Sequence, residues 1–122
     1  MTVHIKRIYD EISPDDGKRI LVDRLWPRGI SKVSAELDLW PKALTPSTDL
    51  RRWYHQDEAM ASRWDEFKQR YLQEIQPHQA ELEQLRAWEK EEPLTLLTAA
   101  KHMDKNHAHI LKALILNTSL EI

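Results

Sequence analysis

The sequence contains no cysteine. This absence excludes disulfide bonds, thiolate zinc sites, iron–sulfur clusters and cysteine nucleophiles. Glycine is scarce, with 2 residues against 6 prolines, which argues against long disordered linkers. A chain of 122 residues with 41% hydrophobic and 31% charged side chains has the size and composition of one folded domain, so we treat residues 1–122 as a single domain.

Long apolar runs are also missing. None approaches the roughly 18 residues that a membrane span needs, and the N-terminal MTVHIKRIYD lacks the apolar segment of a signal peptide. We therefore expect a cytoplasmic protein with no membrane partner. Eighteen basic and twenty acidic side chains give a net charge of -2, which argues against nucleic acid as a partner. The net charge is still compatible with a local basic patch.

Three common catalytic and nucleotide-binding motifs are absent: GxSxG, GxGxxG and GxxxxGK[ST]. The sequence therefore lacks the signatures of an α/β-hydrolase elbow, a dinucleotide-binding turn and a P-loop. We predict no cofactor from it. The oligomeric state is not indicated by any pattern.

Two strands are predicted near the N-terminus. Residues 3–8 alternate apolar and polar side chains before shifting phase, and the stretch from Arg19 to Asp23 is an apolar run that ends in charge. The segment ISPDDGK between them has the composition of a turn. Two arrangements stay open, a hairpin or a parallel pair with an unusually short connection.

The remaining chain alternates predicted helices with one apolar strand. We expect a short helix from about Ser47, a long one after Asp57, one with Pro77 in its first turn that ends before Pro93, and one from about Asn106. LDLW before Pro41 is a brief strand or extended edge, and the apolar Leu94 to Ala99 predicts a central strand covered on both faces. The predicted buried positions of the last three helices are Met60, Trp64, Phe67, Tyr71 and Ile75; Leu82, Leu85 and Trp88; and Ile110, Leu111, Leu114 and Ile115.

Charged and polar residues follow two of the predicted strands. Asp23, Arg24 and Arg28 come after the second strand, and Lys101, Asn106 and His107 come after the last one. If these strands are neighbours, guanidinium groups and a helix N-terminus would together bind a small anion, with phosphate-bearing ligands among the candidates. The alternative is structural: Asp23 pairs with an arginine to hold the loop, and Asn106 is only an N-cap.

Four further residues are candidates for the walls of this cleft. Arg7 and Tyr9 end the first strand, and Ser47 and Arg51 lie at the start of the short helix, although surface or edge roles for the first two and capping and solvated roles for the other two are the favoured interpretation. If the protein is an enzyme, which stays open, His107 is the first choice for acid–base chemistry, with Asp23 orienting an arginine or the substrate.

Two other functions are suggested by particular residues. The spacing of His102, His107 and His109 suggests a metal, but histidines at i and i+2 do not share a helix face, so we predict no metal site. A non-catalytic module would instead use exposed Trp26, Trp40 and Trp53 to bind protein or single-stranded nucleic acid, with base stacking beside Arg51 and Arg52.

The residues also resemble a known family, the YeaO-like branch of a bacterial superfamily of unknown function. The likeness covers nearly the whole chain and is specific as a set. The stretches that carry it are Lys6-Arg7-Ile8-Tyr9, RILVDRLWPRG, Pro46-Ser47 with Leu50-Arg51 and Trp53, Trp64 with Phe67, Arg70 and Tyr71, and LTLLTAAK followed by Asn106-His107-Ala108.

The resemblance implies a small three-layer α/β domain with a mostly parallel short sheet flanked by helices, and it favours the parallel arrangement of the first two strands. It implies no established activity. More distant members of the superfamily tend to have Cys-His-Arg where this chain has Asn106-His107-Ala108. A thiol mechanism suspected there cannot operate here, and the histidine is what stays shared.

Overall fold

Three short strands, β1 (Val3–Arg7), β2 (Lys18–Leu21) and β3 (Leu94–Thr98), form a parallel sheet in the order β1–β3–β2. The computed structural model describes residues 2–56, 60–101 and 106–118, with Met60 and Ala61 described by their backbone alone. Every residue of β3 is buried, as its apolar sequence predicts for a central strand.

The first two strands do not pair with each other. Leu96 of β3 lies opposite Ile5 on one side and Ile20 on the other. The hairpin alternative is therefore wrong. The two strands do run parallel to each other, as the resemblance implies, but they are not hydrogen-bonded neighbours because β3 lies between them. Residues 8–17 connect β1 to β2 past this central strand, through a 3₁₀ turn at Pro14–Asp16.

Within the described residues, five α-helices accompany the sheet: α1 (Lys32–Ala35), α2 (Thr48–His55), α3 (Met60–Ile75), α4 (Gln79–Glu91) and α5 (His107–Leu116). Short 3₁₀ turns occur at Lys42–Leu44 and Gln76–His78. LDLW contributes one isolated bridge, between Leu39 and Ile20, rather than a strand.

Pro77 lies in the turn before α4 and not in the first turn of that helix, contrary to the prediction. Proline has no N–H to donate to the carbonyl four residues earlier, so the α-helical ladder of α3 cannot pass through it. The tighter 3₁₀ turn joins α3 to α4 instead.

The helices and strands form three layers. On one face of the sheet, side chains of α2 to α5 pack with Val3, Ile20 and Leu96 in the main core. On the other face, Leu97 and Ile8 pack with Ala35 of α1 in a smaller core. No helix in the described part of the chain has the length and apolar character to cross a membrane.

The predicted buried faces of the helices are largely confirmed. Residues Trp64, Phe67, Tyr71 and Ile75 of α3 are all buried, while the predicted contribution of the Met60 side chain lies outside what the structure describes. Buried residues of the last two helices include Leu82, Leu85, Ile110, Leu111 and Ile115, whereas Trp88 and Leu114 are partly buried.

Candidate functional site

The carboxyl ends of β2 and β3 bring Asp23 and His107 into contact. The Asp23 Oδ1 atom lies 2.9 Å from His107 Nε2. Thr98 donates its hydroxyl to the same oxygen at 2.7 Å, and the backbone N–H of Ala99 donates to Oδ2, also at 2.7 Å. Residues from two strand ends and one helix start therefore converge on a single carboxylate.

These contacts control the ionisation of Asp23. Burial raises the pKa of this carboxyl, but the bond and charge of His107, together with the donors Ala99 and Thr98, outweigh burial and hold the pKa below its ordinary value of 3.8. Asp23 is consequently an anion near neutral pH. Its side chain is 13% exposed, which places this charge in a mostly desolvated environment.

Asn106 fixes the start of α5 beside this carboxylate. Its side chain accepts a hydrogen bond from the N–H of Ala108 at 2.9 Å, so Asn106 is the N-cap that the sequence predicts. His107 is then the first residue of the helix, and its ring packs edge-on against Tyr71 with centroids 6.2 Å apart. The imidazole is held by a carboxylate on one side and a buried aromatic ring on another.

A pocket of about 190 Å³ opens over the Asp23–His107 pair. Below we call it the Asp23–His107 pocket. The residues that line it are Asp23, Arg51, Tyr54, His55, Phe67, Thr98, Ala99, Ala100, Lys101, Asn106 and His107.

Two cations in the pocket wall are available to a ligand. Across the described residues, the structure records no hydrogen bond or ion pair from the side chain of Arg51 or Lys101. Among the described residues that line the wall, the only carboxylate is Asp23, and it is already paired with His107. The other charged side chains that the structure describes in the wall, Arg51 and Lys101, are cations.

Arg24 and Ser47 do not line this pocket. Arg24 donates to the hydroxyl and the carbonyl of Thr45, both at 3.0 Å, and so holds the turn before α2. Ser47 caps α2 through the N–H of Leu50 and donates its hydroxyl to Glu74 of α3. Both residues line a separate surface groove.

The remaining three candidates also lie outside the pocket wall. The guanidinium of Arg7 donates to the carbonyls of Ala99 and Ala100 and so supports the end of β3 from behind. Tyr9 is 45% exposed and donates its hydroxyl to the backbone carbonyl of Arg28. Arg28 is itself exposed. Arg7, Tyr9 and Arg28 stay predictions as ligand-binding residues, and the geometry gives each a structural contact.

Sequence reasoning missed the apolar part of the pocket. Tyr54 and Phe67 lie on predicted helices, where an aromatic residue at helical spacing indicates a core position, and both are indeed buried. Thr98 and Ala99 are predictable as pocket residues, because they lie at the end of the predicted central strand, close to the candidate Lys101.

The metal hypothesis falls partly outside the described residues, because it includes His102. Among residues 2–56, 60–101 and 106–118, no cluster of three or more His, Asp or Glu side chains could hold a metal ion.

Comparison with known proteins places the chain in a family. A family model described as the inactive DUF488-N3 subclade matches residues 2–121. The chain belongs to this subclade. Its curated relatives include the uncharacterised protein YeaO of Escherichia coli K12, which is 45% identical over 91% of this chain and 94% of its own length.

Two mycobacterial relatives match to a similar extent. The uncharacterised proteins Rv3073c of Mycobacterium tuberculosis H37Rv and Mb3100c of Mycobacterium bovis are each 41% identical over 93% of this chain and 92% of their own length. The predicted YeaO-like resemblance is thus confirmed. No solved structure matches the chain.

Proposed function

We propose that the Asp23–His107 pocket binds a small anionic ligand. The observation that carries this proposal is a pocket at the carboxyl ends of parallel strands with two cations, Arg51 and Lys101, that lack protein partners within the described residues. Strand ends of α/β sheets are common ligand sites. Guanidinium and ammonium groups in a partly desolvated wall bind carboxylates or phosphates through charge-assisted hydrogen bonds.

In this proposal, the Asp23–His107 pair positions a donor or acceptor for the ligand. Asp23 occupies Nε2 of the imidazole, which leaves Nδ1 as the ring nitrogen that can act on a bound molecule. A catalytic version of the proposal assigns proton transfer to His107, with Asp23 fixing the tautomer. The description of the subclade as inactive supports binding without turnover.

A calorimetric titration of the purified protein with small carboxylates and phosphates tests the proposal. We expect at least one anion to bind, and Arg51→Ala and Lys101→Ala each to weaken its binding by about 10- to 100-fold, because a hydrogen bond to a charged group contributes roughly 1.5–3 kcal/mol. Raising the salt concentration should weaken binding further.

The matched control is Arg52→Ala. Arg52 is the next residue of the same helix, is exposed and does not line the pocket, so its loss changes the net charge equally and should leave the affinity unchanged. The proposal is abandoned if no anion binds, or if the Arg51 and Arg52 variants behave alike.

The alternative, a non-catalytic interaction module, has less geometric support. The indole N–H groups of Trp26 and Trp40 donate to backbone carbonyls, and the two rings contact each other at 5.2 Å. Trp53 packs against the guanidinium groups of Arg63 and Arg70. All three indoles are partly buried and engaged within the chain, so they do not form a ready stacking surface for bases.

A further inference from the structure

The wall of the Asp23–His107 pocket has two chemically distinct parts. One part is apolar and aromatic: the rings of Tyr54 and Phe67 stack with centroids 4.3 Å apart, and the methyl-bearing Ala99 and Ala100 also line the pocket. The other part carries the cations of Arg51 and Lys101. A bare ion would use only the second part, so a ligand that matches the whole wall carries both an apolar body and a charge.

The size of the pocket limits that body. An engineered apolar cavity of about 150 Å³ in another protein binds benzene. The volume of about 190 Å³ found here therefore accommodates one ring with a small substituent. It is too small to enclose a dinucleotide or a polymer segment.

The backbone favours a carboxylate over a phosphate. Phosphate sites at strand-to-helix junctions use free backbone N–H groups. Here the N–H of Ala99 binds Asp23, that of Ala100 binds the Thr98 hydroxyl, and that of Ala108 binds the Asn106 side chain. Three amides of the described residues that could surround a phosphate are therefore already used, whereas the forked guanidinium of Arg51 has no hydrogen-bond partner among the described residues and is a directional donor for a carboxylate.

From these observations we infer that the ligand is a small single-ring monocarboxylate. Its ring packs against Tyr54 and Phe67, and its carboxylate binds Arg51 and Lys101 at the pocket wall. This inference rests on the proposed anion-binding function and names the chemical class of the anion. The forked donor geometry of arginine matches a carboxylate in a bidentate pair, which the point charge of a lysine cannot reproduce.

Four probes of matched chemistry test the inference on the full chain by calorimetry at constant ionic strength. They are benzoate, phenyl phosphate, benzamide and acetate. We expect benzoate to bind tightest, with benzamide and acetate each weaker by about tenfold because each lacks one of the two complementary parts. Arg51→Lys should weaken benzoate, and Arg52→Lys should not.

The outcomes separate this inference from the proposal beneath it. If phenyl phosphate binds tighter than benzoate, or acetate binds as well as benzoate, the assignment of the ligand as a ring carboxylate is wrong. The proposed anion-binding function is then retained. If no probe binds, or the Arg51 and Arg52 variants do not differ, both are wrong. Nuclear Overhauser contacts from the benzoate ring protons to the rings of Tyr54 and Phe67 provide a second readout, and contacts elsewhere would overturn the assignment of the site.

Discussion

At the scale of single residues, the Asp23 carboxylate connects three parts of the chain. It accepts from Thr98 and Ala99 at the end of β3 and from His107 at the start of α5. A charged acceptor with several good donors in a mostly buried site contributes more to the free energy of unfolding than an exposed ion pair does. Its loss should therefore affect stability as well as binding.

We expect Asp23→Asn to lower the free energy of unfolding by about 1–3 kcal/mol near neutral pH. The folded pKa of Asp23 is depressed, so its contribution is present above the ordinary value of 3.8 and is lost as the pH falls through the lower folded pKa. The difference between wild type and variant should shrink over that acid range. Urea unfolding at a series of pH values measures it.

Asp65→Asn provides the control, because the side chain of Asp65 is 91% exposed. Its unfolding free energy should differ from that of wild type by less than about 0.5 kcal/mol at every pH. A pH-independent difference for the Asp23 variant would contradict the role given to its charge.

Glu89 presents the opposite case, a carboxylate buried without full hydrogen bonding. It is 6% exposed, and its Oε2 atom has no partner among the described residues. Because an unsatisfied buried polar atom is costly, Glu89→Leu should raise the free energy of unfolding by about 1 kcal/mol. Thermal unfolding compares it with Glu91→Leu, an exposed position of α4 where no gain is expected; equal effects would contradict the explanation.

The sequence predicts part of this residue chemistry. Asp23 and His107 were predictable because each follows a strand end, and parallel neighbours place such ends together. The position of the Arg24 side chain was not predictable, because the direction of a long side chain beyond a strand depends on the loop that it contacts. Here the loop residue Thr45 supplies the hydrogen-bond acceptors for Arg24. The helix position of Arg51 makes it a candidate in the sequence, but its place in the pocket depends on how α2 packs.

At the scale of secondary-structure elements, the connection between β1 and β2 depends on Gly17. This residue has a φ angle of 65°, and a Cβ atom built there would lie 1.9 Å from the carbonyl oxygen of Pro93. The same carbonyl accepts the N–H of Lys18 at 3.0 Å, which starts β2 beside β3. Only glycine allows this close approach without displacing the backbone.

Gly17→Ala should therefore destabilise the protein by at least about 2 kcal/mol, the sum of left-handed backbone strain and a backbone clash. Gly29→Ala is a suitable comparison, because Gly29 has a φ angle of 78° with nothing within 4 Å of the added Cβ. It should cost only about 1 kcal/mol of conformational strain. Denaturant unfolding of both variants checks the difference, and equal losses would show that the approach to Pro93 is unimportant.

Helices and the central strand were the most predictable elements. The spacing of Trp64, Phe67, Tyr71 and Ile75 specifies one buried face of α3, and the Asn106 cap specifies the start of α5. These signals are local. Which strand pairs with β1 is not encoded locally, because the pairing depends on how the helices pack against the sheet. The short segment ISPDDGK therefore wrongly suggests that β1 and β2 are adjacent.

At the scale of the whole molecule, β3 is the element on which both layers depend. Leu96 packs into the main core and Leu97 into the smaller one, and both are fully buried. The strand is bonded to β1 on one edge and to β2 on the other. Opening β3 therefore requires both cores to separate.

This arrangement predicts a specific order of hydrogen exchange. Amides of β3 should exchange only through global unfolding, whereas those of the short, surface-facing α1 (Lys32–Ala35) should exchange through local opening. Because a loss of about 2 kcal/mol changes the unfolding equilibrium roughly 30-fold, Gly17→Ala should accelerate exchange in β3 by about that factor and leave α1 nearly unchanged. Amide exchange followed by NMR measures both. If α3 were protected more strongly than β3, the sheet would not be the last element to open, and β3 would not have the central role that its burial indicates.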